Sequence, residues 1–210
     1  MNFIFDNIGA SIVGATVFLI LLSLQIRINN LNIEETSTYM VKNQASNLAT
    51  WLEEDLLKMG TNIDNTKEVP FANPVDSAEV TTQFIFYRDT LNTAVVPADT
   101  VRIGTRYQLK MTETRMLEGA PINVYRIDRS LQYNGGAWIS SGQSASMVGS
   151  LKIDMLDRDA QPVVDPVAAM TADPEAIKNT RVRFSMVTPF ETDQISIRQV
   201  YYGSTLLLPN

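Results

Sequence analysis

IGASIVGATVFLILLSLQI, from Ile8 to Ile26, runs for nineteen residues without a formal charge, between Asp6 before it and Arg27 after it. At a helical rise of about 1.5 Å per residue, such a run just crosses a hydrocarbon core about 30 Å thick. A cleavable signal peptide fits less well. The basic n-region is missing, the run is longer than an h-region, and the helical pattern continues beyond it. A buried helix of a soluble domain fits poorly too, because such a helix is rarely apolar all round for about five turns. Residues 1–27 are therefore expected to form a hydrophobic membrane-spanning or filament-core helix. Charge does not orient it, since Asp6 precedes the span and only Arg27 and Lys42 follow it nearby. Within the span, Ala10 with Gly14 and Ser11 with Ala15 are small residues at i,i+4 spacing on adjoining faces, a spacing that lets helix backbones approach closely.

Beyond Arg27 the apolar positions thin out and then regroup. Leu48, Leu52, Leu56 and Met59 make one stripe of an amphipathic helix, with Trp51 beside it. No proline occurs before Pro70, and Gly60 follows Met59 where a helix C-terminus favours glycine. Residues 28–60 thus read as an amphipathic stalk. One nearly continuous helix over 7–59 would be roughly 80 Å long. The alternative is a pair of helices hinged in the polar segment Asn29 to Thr38, NNLNIEETST.

From residue 61 to 210 the texture is that of strands and turns, in enough chain for one ordinary domain with its own core. Gln83 to Tyr87 is a compact β-prone run, and Arg106 to Thr112 alternates Tyr107, Leu109 and Met111 with polar neighbours. Val124 to Leu131 and Ala137 to Ser140 flank the hairpin signal Tyr133-Asn134-Gly135-Gly136. Met147 to Leu156 alternates again and turns at Asp157-Arg158-Asp159-Ala160. Asp173-Pro174-Glu175 predicts a capped helical turn with proline at its first position, leading to a strand over Arg181 to Val187. Gln194 to Tyr202 and Thr205 to Leu208 are expected as the closing strands. The fold class is α+β: a long N-terminal helix packed on a largely antiparallel sheet.

Composition narrows the function classes. The chain of 210 residues has no Cys and no His, which removes thiol nucleophiles, imidazole bases and most zinc, copper or haem chemistry. Its net charge is −6, with 17 scattered Lys and Arg, so it offers no basic footprint for nucleic acid. No enzyme activity, cofactor or small-molecule substrate is expected. Asp154, Asp157 and Asp159 are the weak candidates for a metal site. They lack the further oxygens and the glycine of an EF-hand loop, and a solvated turn is the preferred reading. Glu53, Glu54 and Asp55 point to different sides of a helix and cannot share a proton. Ser140, Ser141, Ser144 and Ser146 read as loop residues without a base.

The order of elements resembles that of type IV pilin-like proteins, and most narrowly the large minor pilins and minor pseudopilins of type IV pili and type II secretion systems. The likeness rests on the apolar N-terminal helix and on Leu48 to Gly60, LATWLEEDLLKMG, similar to that group's helix-ending stretch. It also rests on Arg106 to Thr112 followed by Val124-Tyr125-Arg126, on Leu151 to Asp159, on Ile177 to Phe184, IKNTRVRF, and on the ending Ser204 to Asn210. The resemblance implies a structural subunit that sits in a membrane before assembly and then joins copies of itself or other pilin-like subunits. It places the C-terminal domain outside the cytoplasm, and in some members it implies bound calcium. The family's basic leader and peptidase junction do not precede the apolar helix, which implies a chain already trimmed or processed differently. If Met1 is removed, Asp6 becomes the fifth residue, where the resemblance implies an acid pairing with a neighbour's N-terminal amine. The other reading of Asp6 is a helix cap at the positive end of the dipole. A membrane-anchored envelope or virion protein, whose helix stays in a bilayer, is the alternative function.

Overall fold

The computed structural model describes residues 2–77, 79–92, 99–117, 120–189 and 199–207, with the backbone alone at 2–6, 92 and 117. The chain begins with α1, Asn2–Leu56, a single α-helix of 55 residues. The polar segment at Asn29 to Thr38 does not hinge. It lacks proline and glycine, the residues that most often break a helix, and moderate propensity alone does not interrupt the i→i−4 ladder. The α-helical ladder stops three residues before the expected Met59. Lys58 and Met59 then donate to Asp55 and Leu56 at i−3, and Gly60 takes φ +79°, turning the chain into the sheet domain.

Eight strands form one antiparallel sheet: β1 Val75–Ser77, β2 Val80–Asn92, β3 Asp99–Leu117, β4 Ala120–Tyr133, β5 Ile139–Gln143, β6 Val148–Leu156, β7 Asn179–Val187 and β8 Gln199–Leu207. The spatial order is β1-β2-β3-β4-β6-β7-β8, with β5 paired to β4 off this path. β4 and β6 share a single register pair, Tyr125 with Val148, so the sheet is two wings joined at a corner. The wings meet again where the Ile153 N–H donates to Thr81 Oγ1 at 3.1 Å. Asn134 at φ 47° and Gly135 at φ 73° make the left-handed turn after β4 that the Asn-Gly pair predicts.

Two expectations need correction. Asp173-Pro174-Glu175 makes a capped turn, the Asp173 carbonyl accepting the Ala176 N–H at 2.8 Å, but the turn is not helical. Asp173 instead ends α2, Pro166–Ala172, and then accepts the Glu175 N–H in a tight turn. The same Asp-Pro logic holds one motif earlier, where Asp165 caps α2 by accepting from Ala168 N and Pro166 is its first residue. The closing strands are one, β8, which runs unbroken through Gly203 and Ser204; residues 194–198 and Leu208 lie outside the described residues.

The core lies between the last four turns of α1 and the inner faces of both wings. Val41, Ala45, Leu48, Leu52, Leu56 and Met59 are buried against Phe84, Phe86, Tyr107, Ile127, Leu151, Ile153 and Phe184. The predicted stripe is thus the face that packs, and each fully buried leucine contributes about 1.5 to 3 kcal/mol by leaving water.

Candidate assembly site

Among the described residues, nothing covers the first half of α1. Every described side chain from residue 7 to 29 is exposed, and the helix carries a window long and apolar enough to cross a membrane, none of it buried. Phe18, Leu19, Leu21, Leu24, Ile26 and Ile28 project outward from it. Its hydroxyls do not interrupt this surface. Ser11 Oγ donates to the Asn7 carbonyl at 2.8 Å, Thr16 Oγ1 to Ile12 at 2.8 Å and Ser23 Oγ to Ile20 at 3.1 Å. Such back-bonding satisfies the hydroxyls within the helix, so the outer surface suits lipid or apolar protein all round.

Ala10 with Gly14 and Ser11 with Ala15 stand on this exposed half, with open space where a Gly14 Cβ would be. The helix begins at Asn2, so Asp6 is already inside it and cannot be its N-cap, which needs a non-helical backbone. That corrects the capping reading; the Asp6 side chain lies outside the described residues.

At its other end α1 is held by charge as well as by packing. Asp55, only 6% exposed, accepts from Arg129 Nε at 2.6 Å and from Arg129 Nη2 at 2.9 Å, a two-pronged guanidinium contact from β4. The Tyr107 hydroxyl of β3 donates to the same carboxylate at 2.6 Å, and Trp51 meets the Tyr107 ring edge-on. Burial and then the Asp55 charge push the Tyr107 hydroxyl well above its ordinary pKa. Burial works against the charged form of Arg129, but its bonds to Asp55 more than offset this and raise its pKa. Glu53 accepts from Tyr202 Oη of β8 at 2.5 Å, which raises the tyrosine pKa. Glu54 is exposed. The acidic run therefore divides among three surroundings, as helical spacing requires, and two of its members tie α1 to both wings of the sheet.

Sequence reasoning passed over Asp55 and Arg129. The signal was present: Asp55 stands three residues after Leu52 and four before Met59, on the apolar stripe itself, where an acid needs a buried partner.

The three aspartates considered for a metal are not brought together. Asp154 is not part of a solvated turn. It is buried on β6 and accepts from Arg181 at 3.0 Å and Arg183 at 2.9 Å. Asp157 Oδ1 instead accepts the N–H groups of Asp159 and Gln161, both at 2.9 Å, and so shapes the turn. Among the described residues no group of three acidic side chains is placed to hold a metal ion. Ser141 bonds Arg129, and Ser144 Oγ accepts the Ile127 N–H, so both serve the sheet.

Set against known protein families, curated proteins and solved structures, the chain matches none of them. What it does have is a long apolar N-terminal helix on an antiparallel sheet, an arrangement compatible with a pilin-like architecture and with a single-pass membrane anchor.

Proposed function

We propose that the protein is a non-enzymatic structural subunit of a pilus-like or pseudopilus filament, built through bundling of its apolar N-terminal helices. The observation that carries this reading is the unbroken α1, whose first half exposes apolar side chains on every side while its last turns are the spine of a folded domain. A helix so divided transmits the position of its apolar half rigidly to the domain, which is what a helical coat around a core of helices needs. Bundling also removes from water, or from lipid, a surface that the chain leaves uncovered. The large domain then stands outside the cytoplasm, and the partners are copies of this chain or related subunits.

A second reading has support in the same helix, because its apolar window is long enough to cross a bilayer unaided. In that case the chain is an anchored envelope or virion protein. Extraction of native membranes with mild detergent, followed by negative-stain microscopy, separates the two. The filament reading expects rods that contain the chain and persist without a bilayer. Recovery of the chain solely as single detergent-bound particles overturns it in favour of the anchor.

A further inference from the structure

The edges of the sheet are finished differently. β1 has three residues, its register against β2 is irregular between Val75 and Asp76, and Asp76 is tied to Lys152. β5 has five residues and its own register shift against β4. Shortness, irregularity and charge are the devices that make an edge unfit for pairing with another chain. β8 has none of them. Its nine residues, QVYYGSTLL, carry no charge and no proline, and they pair with β7 without a register shift. Among the described residues nothing pairs with its outer edge, and Tyr201 and Leu207, each 75% exposed, alternate with Tyr202 and Leu206, which pack against the core.

We propose that the outer edge of β8 pairs antiparallel with β8 of a second copy of this chain, with Ser204 opposite Ser204. The register follows from the pattern of side chains. In a two-fold pair centred on Ser204, Tyr201 lies opposite Leu207 of the second copy, twice over, so the two exposed large apolar side chains of the strand cover each other. Tyr202 lies opposite Leu206 on the face that carries α1, and Gly203 lies opposite Thr205. No like charges meet, because the strand has none, whereas most edges bring a charge against its own image in such a pair. The helix side leaves room as well. A groove of about 250 Å³ beside Tyr202 is floored by Ala45 and Ala49, and it receives Leu206 of the second copy. Main-chain bonds then supply the affinity and the alternating side chains the register.

The two-fold axis stands perpendicular to the joined sheet. Both α1 helices therefore lie on one face and run in opposite directions, so the two apolar halves leave the pair on opposite sides. This contact joins chains held in opposing membranes, or in two separate assemblies, and not neighbours within one. It gives the protein a surface-to-surface role that does not depend on whether its anchors bundle or stay in lipid.

The absence of cysteine makes the test direct. Full-length Tyr201→Cys and Leu207→Cys chains, purified separately in detergent, are mixed and oxidised. The mixture is expected to give a covalent dimer and neither variant alone, since like positions lie about 20 Å apart along the pair. Cross-linking of Tyr201→Cys with itself, or none in the mixture, overturns the register and the proposal. The functional arm uses phosphatidylcholine vesicles with the full chain inserted, in two fluorescent colours, scored for tethering. Tyr201→Lys is expected to weaken tethering about tenfold, because two cross-strand pairs are lost together. Adding Leu207→Glu restores it by setting Lys opposite Glu. Tethering that is unchanged by Tyr201→Lys, or that is not restored by the second substitution, overturns the proposal; both positions are exposed, and circular dichroism of each variant checks that its domain is folded.

Discussion

The two halves of α1 share one backbone and divide the chemistry of the protein between them. From residue 7 to 29 the helix is exposed on every face, while from Val41 to Leu56 one stripe is buried and the other faces are polar. The first half has no inside. Its helical form rests on main-chain bonds and on whatever lipid or protein surrounds it. The second half is shaped by a particular partner, the sheet, and carries the side chains that fit it. Uniform apolarity therefore marks a segment whose neighbour is unspecified, and a stripe interrupted by one well-paired charge marks a segment whose neighbour is fixed.

The sharpest way to break that contrast is at the charge. Arg129→Met leaves Asp55 buried with only the Tyr107 hydroxyl, and loss of one partner from a buried pair costs about 3 to 5 kcal/mol. Denaturation of the full chain in detergent micelles, followed by circular dichroism, is expected to show the domain unfolding at much lower urea while the chain stays micelle-bound. A loss below about 1 kcal/mol would place this pair with exposed salt bridges and remove it as a clamp. Leucine truncation compares the halves directly. Leu52→Ala is expected to cost about 2 to 5 kcal/mol, as a cavity in the core does, and Leu21→Ala nothing measurable in the same assay. Equal effects of the two would mean that the first half also packs on the domain.

Tyr107 sharpens the comparison through pH. Its folded pKa lies above the ordinary 10.0, so the neutral hydroxyl is favoured in the folded chain. The stability this supplies is complete below pH 10.0 and is lost as pH rises from there toward the folded value. Tyr202, raised by its bond to Glu53, adds to the same alkaline loss. Tyr107→Phe is expected to cost about 1.5 to 3 kcal/mol at neutral pH, the scale of a hydrogen bond to a charged group. It should also flatten the fall in stability above pH 10.0, and a fall as steep as that of the unaltered chain would assign the alkaline loss elsewhere.

How much of this was legible beforehand follows the same division. Ile8 to Ile26 declared itself by length and lack of charge, and Leu48, Leu52, Leu56 and Met59 by period, because both signals are local to a helix. Strand cores such as Gln83 to Tyr87 were visible for the same reason, but their true lengths were not. β3 continues to Leu117 because β4 pairs with it there, which depends on residues distant in sequence. Asp165-Pro166 and Asp173-Pro174 carry the same local signal, yet only the first starts a helix, and the short stretch alone does not tell them apart. The acidic run Glu53 to Asp55 shows from its spacing that its members diverge, but not that Asp55 is paired, because the partner is 74 residues away on β4. That β8 is an edge among the described residues is a property of the whole sheet and has no mark in any short stretch.

The smallest effect on the domain, and the most informative about the first half, is expected from Gly14→Leu. Space is open where a Gly14 Cβ would stand, so a larger side chain meets nothing within the single chain. Leucine also raises helix propensity and makes the span more apolar, so insertion and domain stability should stay the same or improve slightly. Close approach of a second helix along Ala10 and Gly14 would be blocked by it, because small residues there are what let two backbones meet. Cross-linking in native membranes, with filament counts by microscopy, is therefore expected to show assembly reduced while the chain remains fully membrane-inserted. Gly14→Ala, which adds a single methyl, should retain most of it. If Gly14→Leu assembles as well as the unaltered chain, this face of the helix meets only lipid, and the contacts that bundle the helices lie on another side.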